Sequence, residues 1–203
     1  VDLDMKGEIE NAFCAVRPPG HHAERNNAMG FCFFANASVA ARHALAAHGL
    51  ERVAIIDFDV HHGNGTEDCC AGDDRILMCS IFQHPFYPYS GADKPAANMC
   101  NVPLAAGCGG EEFRDAVNQV WMPRLKEFKP QLIIISAGFD GHYEDDMGGL
   151  KLVEKDYAWC TEELKKVAAQ FSEKRIVSML EGGYVMTSLA RSVGAHLRSL
   201  ADL

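Results

Sequence analysis

Six short apolar runs rich in β-branched residues constrain this chain more than any other feature: residues 13–16, 53–58, 76–82, 99–104, 132–137 and 176–180. Each is nearly continuous rather than alternating, and each is bounded by polar or Gly/Pro signals. That is how strands buried on both faces of a parallel sheet look. An α/β fold of three layers, α/β/α, follows. Amphipathic or Ala-rich stretches at 36–48, 111–128, 154–171 and 187–200 supply the covering helices. In the second stretch Phe113, Val117, Val120, Trp121 and Leu125 recur at helical spacing, and Pro123 is expected to bend or interrupt it. No repeat, linker or low-complexity tract divides the 203 residues, so one domain over 1–203 is expected.

Composition narrows the function classes. With 19 basic against 28 acidic residues and a net charge of −9, the attraction to phosphate backbones that a nucleic-acid binder needs has no source. No apolar run approaches the ~18 residues of a membrane span. The 8 cysteines form no CxxC pair and follow no secretory signal, which fits buried thiols in a reducing compartment and a cytoplasmic location. The chain begins at Val1 rather than methionine, as if something upstream had been removed.

In open parallel sheets the chemistry gathers outside the carboxyl ends of the strands. Nine histidines in 203 positions would give about 0.4 adjacent pairs by chance, a composition-level expectation. Two occur, His21-His22 and His61-His62, each just after a strand-like run. The densest signal is Asp57-Phe58-Asp59-Val60-His61-His62-Gly63-Asn64-Gly65. In extended backbone Asp57, Asp59 and His61 point one way while Phe58 and Val60 pack behind. Carboxylates gathered at one point repel unless a cation compensates, and a metal ion is the usual compensation. A further run ends in Ser136-Ala137-Gly138-Phe139-Asp140 and brings a third ligand. Asp59, His61 and Asp140 leave one position of a tetrahedral site open, the arrangement of a catalytic rather than a structural zinc. Tyr184, after Glu181-Gly182-Gly183, offers a hydroxyl to a developing oxyanion. Gly107-Cys108-Gly109-Gly110 lies where a dinucleotide fingerprint would, but Glu112 occupies the third glycine position and the spacing fails.

Five stretches in order carry a family resemblance: Arg17-Pro18-Pro19-Gly20-His21-His22-Ala23-Glu24, Met29-Gly30-Phe31-Cys32-Phe33-Phe34, 57–66, Ser136-Ala137-Gly138-Phe139-Asp140 and Glu181-Gly182-Gly183-Tyr184. Together they resemble the zinc-dependent histone deacetylases of the arginase/deacetylase superfamily, class II enzymes and their bacterial relatives above all, which include acetylpolyamine amidohydrolases. The resemblance implies that Asp59, His61 and Asp140 bind zinc, that His21 and His22 act as general base and acid partner, and that Tyr184 polarises the amide carbonyl. Asp57 would orient His21, and Asn64 would orient His22. Gly30, Phe31, Tyr87, Met147, Gly182 and Gly183 would line the acyl-lysine tunnel. A potassium ion would sit on Asp57, Ser80 and the backbone at Asp59 and His61. Asp145 and Asp146, beside Met147, would be placed to attract a cationic substrate.

The resemblance also implies a sheet of eight strands, of which the first two are expected to be absent here, leaving an edge that invites pairing and a possible homo-oligomer. The expected activity is zinc-dependent hydrolysis of an acetylated lysine or related acetyl-amine. The alternatives are an acetylpolyamine deacetylase, a catalytically impaired deacetylase-like binding protein, and an arginase-like enzyme with two manganese ions.

Overall fold

In the computed structural model, which describes residues 1–203, the six apolar runs form β1 (Asn11–Cys14), β2 (Val53–Asp57), β3 (Ile76–Gln83), β4 (Met99–Leu104), β5 (Leu132–Ala137) and β6 (Ile176–Leu180). They make one sheet in the order β1-β6-β5-β2-β3-β4, and every neighbouring pair is parallel. β2, β3 and β5 are buried along their whole length, which is why their sequences show continuous apolar runs. The six strands leave β1 and β4 at the edges.

Alternate residues of the strands feed two cores, one on each face. Ala54 and Ile56 of β2 pack with α4 (Gly110–Ala116), α5 (Met122–Phe128) and α6 (Glu154–Phe171), through Phe113, Leu125, Tyr157 and Leu164, and with Trp121 from the segment between α4 and α5. Leu200, at the end of α7 (Met186–Leu200), joins them. Val53 and Ile55 pack with α2 (Asn36–His48), through Ala37, Ala41, Ala44 and Leu45. Helices thus cover both faces of the sheet.

The interruption expected at Pro123 takes the form of a five-residue π turn, Val117–Trp121, between α4 and α5. Pro123 falls in the first turn of α5, where its missing N–H is tolerated. Two short helices carry no clear sequence signal: α1 (Asp2–Met5) and α3 (Asn64–Cys70). No helix is long and apolar enough to cross a membrane. All eight cysteines are free thiols, five of them buried.

Candidate active site

β2 ends at Asp57, two residues earlier than an extended path to Asp59 would require. The reason lies in the side chains. Asp57 Oδ1 accepts the N–H of Asp59 at 3.1 Å, and Asp59 Oδ1 accepts the N–H of His61 at 2.9 Å. Aspartates that capture backbone donors two residues on curl the chain away from a ladder. The curl separates the acids that simple alternation would put together. Asp57 turns to His21, while Asp59 and His61 meet Asp140 from the loop after β5.

His61 Nδ1 lies 3.0 Å from Asp59 Oδ1 and 3.2 Å from Asp140 Oδ2. Ligand atoms about 2.0–2.2 Å from one tetrahedral ion would stand roughly 3.3 Å apart, so these three atoms fit a single metal. The remaining carboxylate oxygens are occupied: Asp59 Oδ2 accepts the N–H of Gly182 at 2.8 Å, and Asp140 Oδ1 that of Val60 at 3.0 Å. Asp140 Oδ2 is buried and accepts no hydrogen bond, because the one imidazole proton within reach is directed at Asp59. It is an orphaned anion aimed into the cluster. Burial and the neighbouring Asp59 push the Asp140 carboxyl up to about 6. Burial works against charge on His61, but Asp140 and Asp59 overcome it and raise His61 to about 10. The site demands a positive charge between its carboxylates.

Gly182 is the floor of this cluster. A Cβ there would lie 2.1 Å from Asp140 Oδ2 and 2.5 Å from Asp59 Oδ2, so no other residue fits.

The tandem histidines stand beside the cluster with ring centroids 4.0 Å apart. His21 Nδ1 donates to Asp57 Oδ2 at 2.9 Å, and His22 Nδ1 pairs with Asn64 Oδ1 at 2.7 Å. The Asn64 amide is oriented by its Nδ2, which donates to Glu24. Its oxygen therefore accepts, His22 carries its proton on Nδ1, and His22 Nε2 keeps a free lone pair. Burial opposes charge on both rings. At His21 the carboxylates of Asp57 and Asp59 prevail and hold the pKa well above the ordinary histidine value. At His22 the cationic His21 adds to burial and lowers it to about 3. Two histidines with pKa values driven apart form an acid and a base at one pH.

A cavity of about 560 Å³ opens onto these groups and is lined by His22, Gly30, Phe31, His61, Phe86, Tyr87, Asp146, Met147 and Tyr184. Four expected tunnel residues, Gly30, Phe31, Tyr87 and Met147, lie in this wall. Gly182 and Gly183 do not: Gly182 sits beneath the carboxylates, and Gly183 packs against Leu189 and Phe139. Tyr87 meets His22 edge to face at 5.1 Å, and Phe31 meets Tyr184 at 6.1 Å. Burial and the charges of Asp59 and Asp140 push the Tyr184 hydroxyl up, so it stays a donor.

Phe86 was not anticipated. It stacks on His61 at 5.3 Å, and only the aromatic pair Phe86-Tyr87 just beyond β3 hinted at it.

Asp145 and Asp146 part company. Asp146 faces the cavity, but Asp145 is buried, and its carboxylate accepts the N–H groups of Tyr184 at 2.7 Å, Val185 at 3.1 Å and Met147 at 3.0 Å. Asp145 is therefore no surface lure for a cation. His62, the neighbour of His61, is held away from the cavity by Glu67 and Ser80. Ser80 stands opposite Asp57 in the β2–β3 register.

A family model described as "Histone deacetylase domain" matches residues 1–200. The chain is 40% identical to the type-2 histone deacetylase 2 of Dictyostelium discoideum over 100% of its own length and 13% of that protein's. It is 40% identical to the histone deacetylase-like amidohydrolase of Pseudomonas aeruginosa over 91% of its length and 50% of that protein's. Among solved structures it is similar to the crystal structure of the HDA15 HD domain, with a TM-score of 0.91 and 34% identity, covering 99% of this chain and 60% of that one. The chain thus spans less than two thirds of each of these proteins.

Proposed function

The chain belongs to the histone deacetylase family, and from that premise we propose that it hydrolyses the amide of an acetylated lysine, or of a related acetylated amine, to release acetate and the free amine. One observation carries this reading: the Asp59, His61 and Asp140 side chains, within reach of a single ion, and the tandem histidines beside them adjoin one largely apolar cavity, which His22 and His61 line. Zinc held by Asp59, His61 and Asp140 would supply a Lewis acid that activates water and polarises the carbonyl. His22, neutral with Nε2 free, accepts the proton of the attacking water. His21, kept cationic by Asp57, stabilises developing negative charge, and the two rings titrate as a pair. Tyr184 donates its hydroxyl to the carbonyl oxygen. Phe31, Phe86 and Tyr87 enclose the aliphatic stem of the acylated amine. The potassium ion on Asp57, Asp59, His61 and Ser80, and action in the cytoplasm, belong to the same reading.

One observation favours a second substrate, an acetylated polyamine: Asp146 places a carboxylate in the cavity wall, where a distal ammonium would find it. Competition between an acetyl-lysine peptide and an acetylpolyamine, joined to a metal count, tests both. One zinc per chain, lost in Asp140→Asn, with faster turnover of the peptide, is the expected result. Preference for the polyamine would move the assignment to the second substrate. Bound zinc without hydrolysis of either would make the protein an acyl-amine binder, and two manganese ions per chain would overturn the reading.

A further inference from the structure

Glu181 is fully buried, is charged at neutral pH in an ordinary setting, and has no part in the chemistry described so far. It follows β6 directly, and its carboxylate reaches sideways rather than toward the cavity. Oε2 accepts the N–H of Gly20 at 2.6 Å and the N–H of His21 at 3.1 Å. Oε1 accepts the hydroxyl of Ser136, at the end of β5, at 3.0 Å. The main chain of the same residue is also committed: its N–H donates to Ala137 O at 3.0 Å, and its carbonyl accepts Arg17 Nη1 at 3.1 Å. Gly182, the next residue, donates to Asp59 Oδ2.

One dipeptide therefore grips the histidine loop on one side and a metal-ligand carboxylate on the other. The histidine loop needs such a grip. It leaves β1, an edge strand of four residues, and no strand or helix follows until α2 begins at Asn36. Asp57 and Asn64 hold the two rings, but only Glu181 holds the backbone that carries them from the side of β5 and β6.

We propose that Glu181 is a positioning residue for the tandem histidines, acting as a paired hydrogen-bond acceptor for the Gly20 and His21 amides rather than as a charge or a proton donor. This rests on the deacetylase reading for its activity readout. A displacement of about 1 Å in a catalytic group costs about 10²-fold, which sets the size of the effect. Glu181→Gln retains an acceptor oxygen at the same reach, with its amide turned toward Ser136, whereas Glu181→Asp keeps the charge but draws the acceptor back by a methylene. Glu181→Ala removes it.

The test compares zinc content, kcat and KM on an acetyl-lysine peptide for these variants, with nitrogen-15 NMR of the imidazole ring protons read in parallel. All three variants are expected to hold one zinc with KM within about threefold of wild type. Their kcat values should fall in the order wild type, Gln, Asp, Ala, with Gln within about tenfold and Ala down by about 10²-fold or more. The hydrogen-bonded Nδ1 proton of His21 should persist in Glu181→Gln and be lost or shifted in Glu181→Asp. If Glu181→Asp outperforms Glu181→Gln, or if Glu181→Ala keeps wild-type kcat, the proposal falls. If Glu181→Ala does not fold, the Gln-against-Asp order decides alone. If the wild-type protein turns over no substrate, the deacetylase reading fails, and the imidazole spectra of the same variants still decide whether Glu181 sets the histidines.

Discussion

At the residue scale the proposed function divides the site into groups that would hold a metal and groups that would move protons, and substitutions should separate them too. Tyr184→Phe removes only the cavity-facing hydroxyl. It should keep one zinc per chain and lose ~10²- to 10³-fold in kcat, the usual loss for one oxyanion donor, measured by single-substrate kinetics beside a metal assay. Two glycines make the same contrast through space alone. Gly182→Ala drives a methyl into the Asp59 and Asp140 carboxylates and should abolish zinc binding. Gly30→Ala, where φ is +54° and a Cβ would stand 2.3 Å from His22 Cδ2, should leave zinc bound and suppress turnover. The convergence of Asp59, His61 and Asp140 and the place of the tandem histidines were legible in the sequence because all five stand just past strand ends. Phe86 and the burial of Asp145 were not, since both depend on how loops fold back over the site. The acids beside Met147 look equivalent in sequence, yet one faces the cavity and the other secures the backbone of Tyr184.

At the scale of elements, the six strands were legible because burial on both faces leaves unbroken apolar runs, whereas α3, seven residues long, and the π turn have no periodic signal long enough to read. α7 shows how helices are fastened behind the sheet. His196 is buried between Thr161 of α6, at 2.7 Å, and Ser178 of β6, at 2.9 Å, with Phe13, Phe58 and Phe139 around its ring. Burial lowers its pKa to about 4. The unfolded chain binds this proton near 6.5 and the folded chain only near 4. Its contribution to stability is therefore complete above about pH 6.5 and is lost as the pH falls toward 4. Denaturant unfolding of wild type and His196→Asn should show a stability difference that narrows by about 3 kcal/mol between pH 7.5 and 4. An unchanged difference would mean that the buried ring titrates as it does in the unfolded chain.

At the scale of the whole molecule, strand order is what the sequence could not disclose, because nothing local to residues 11–14 names a partner at residues 176–179. The site is assembled across that order: loops after β1, β2, β5 and β6 each deliver a group, and β6 stands between β1 and β5. A chain ended before Ile176 should therefore bind no zinc, with its histidine loop exposed to protease, while removal of the last three residues should change neither zinc content nor turnover. The β1–β6 pairing also sets a timetable for biosynthesis. β1 is translated well before β6 and cannot make this pairing until residues 176–179 have been added. A site that draws groups from the loops after β1, β2, β5 and β6 is therefore complete only once β6 has been made, and until then its earlier parts stand in the nascent chain as an acidic, histidine-bearing segment.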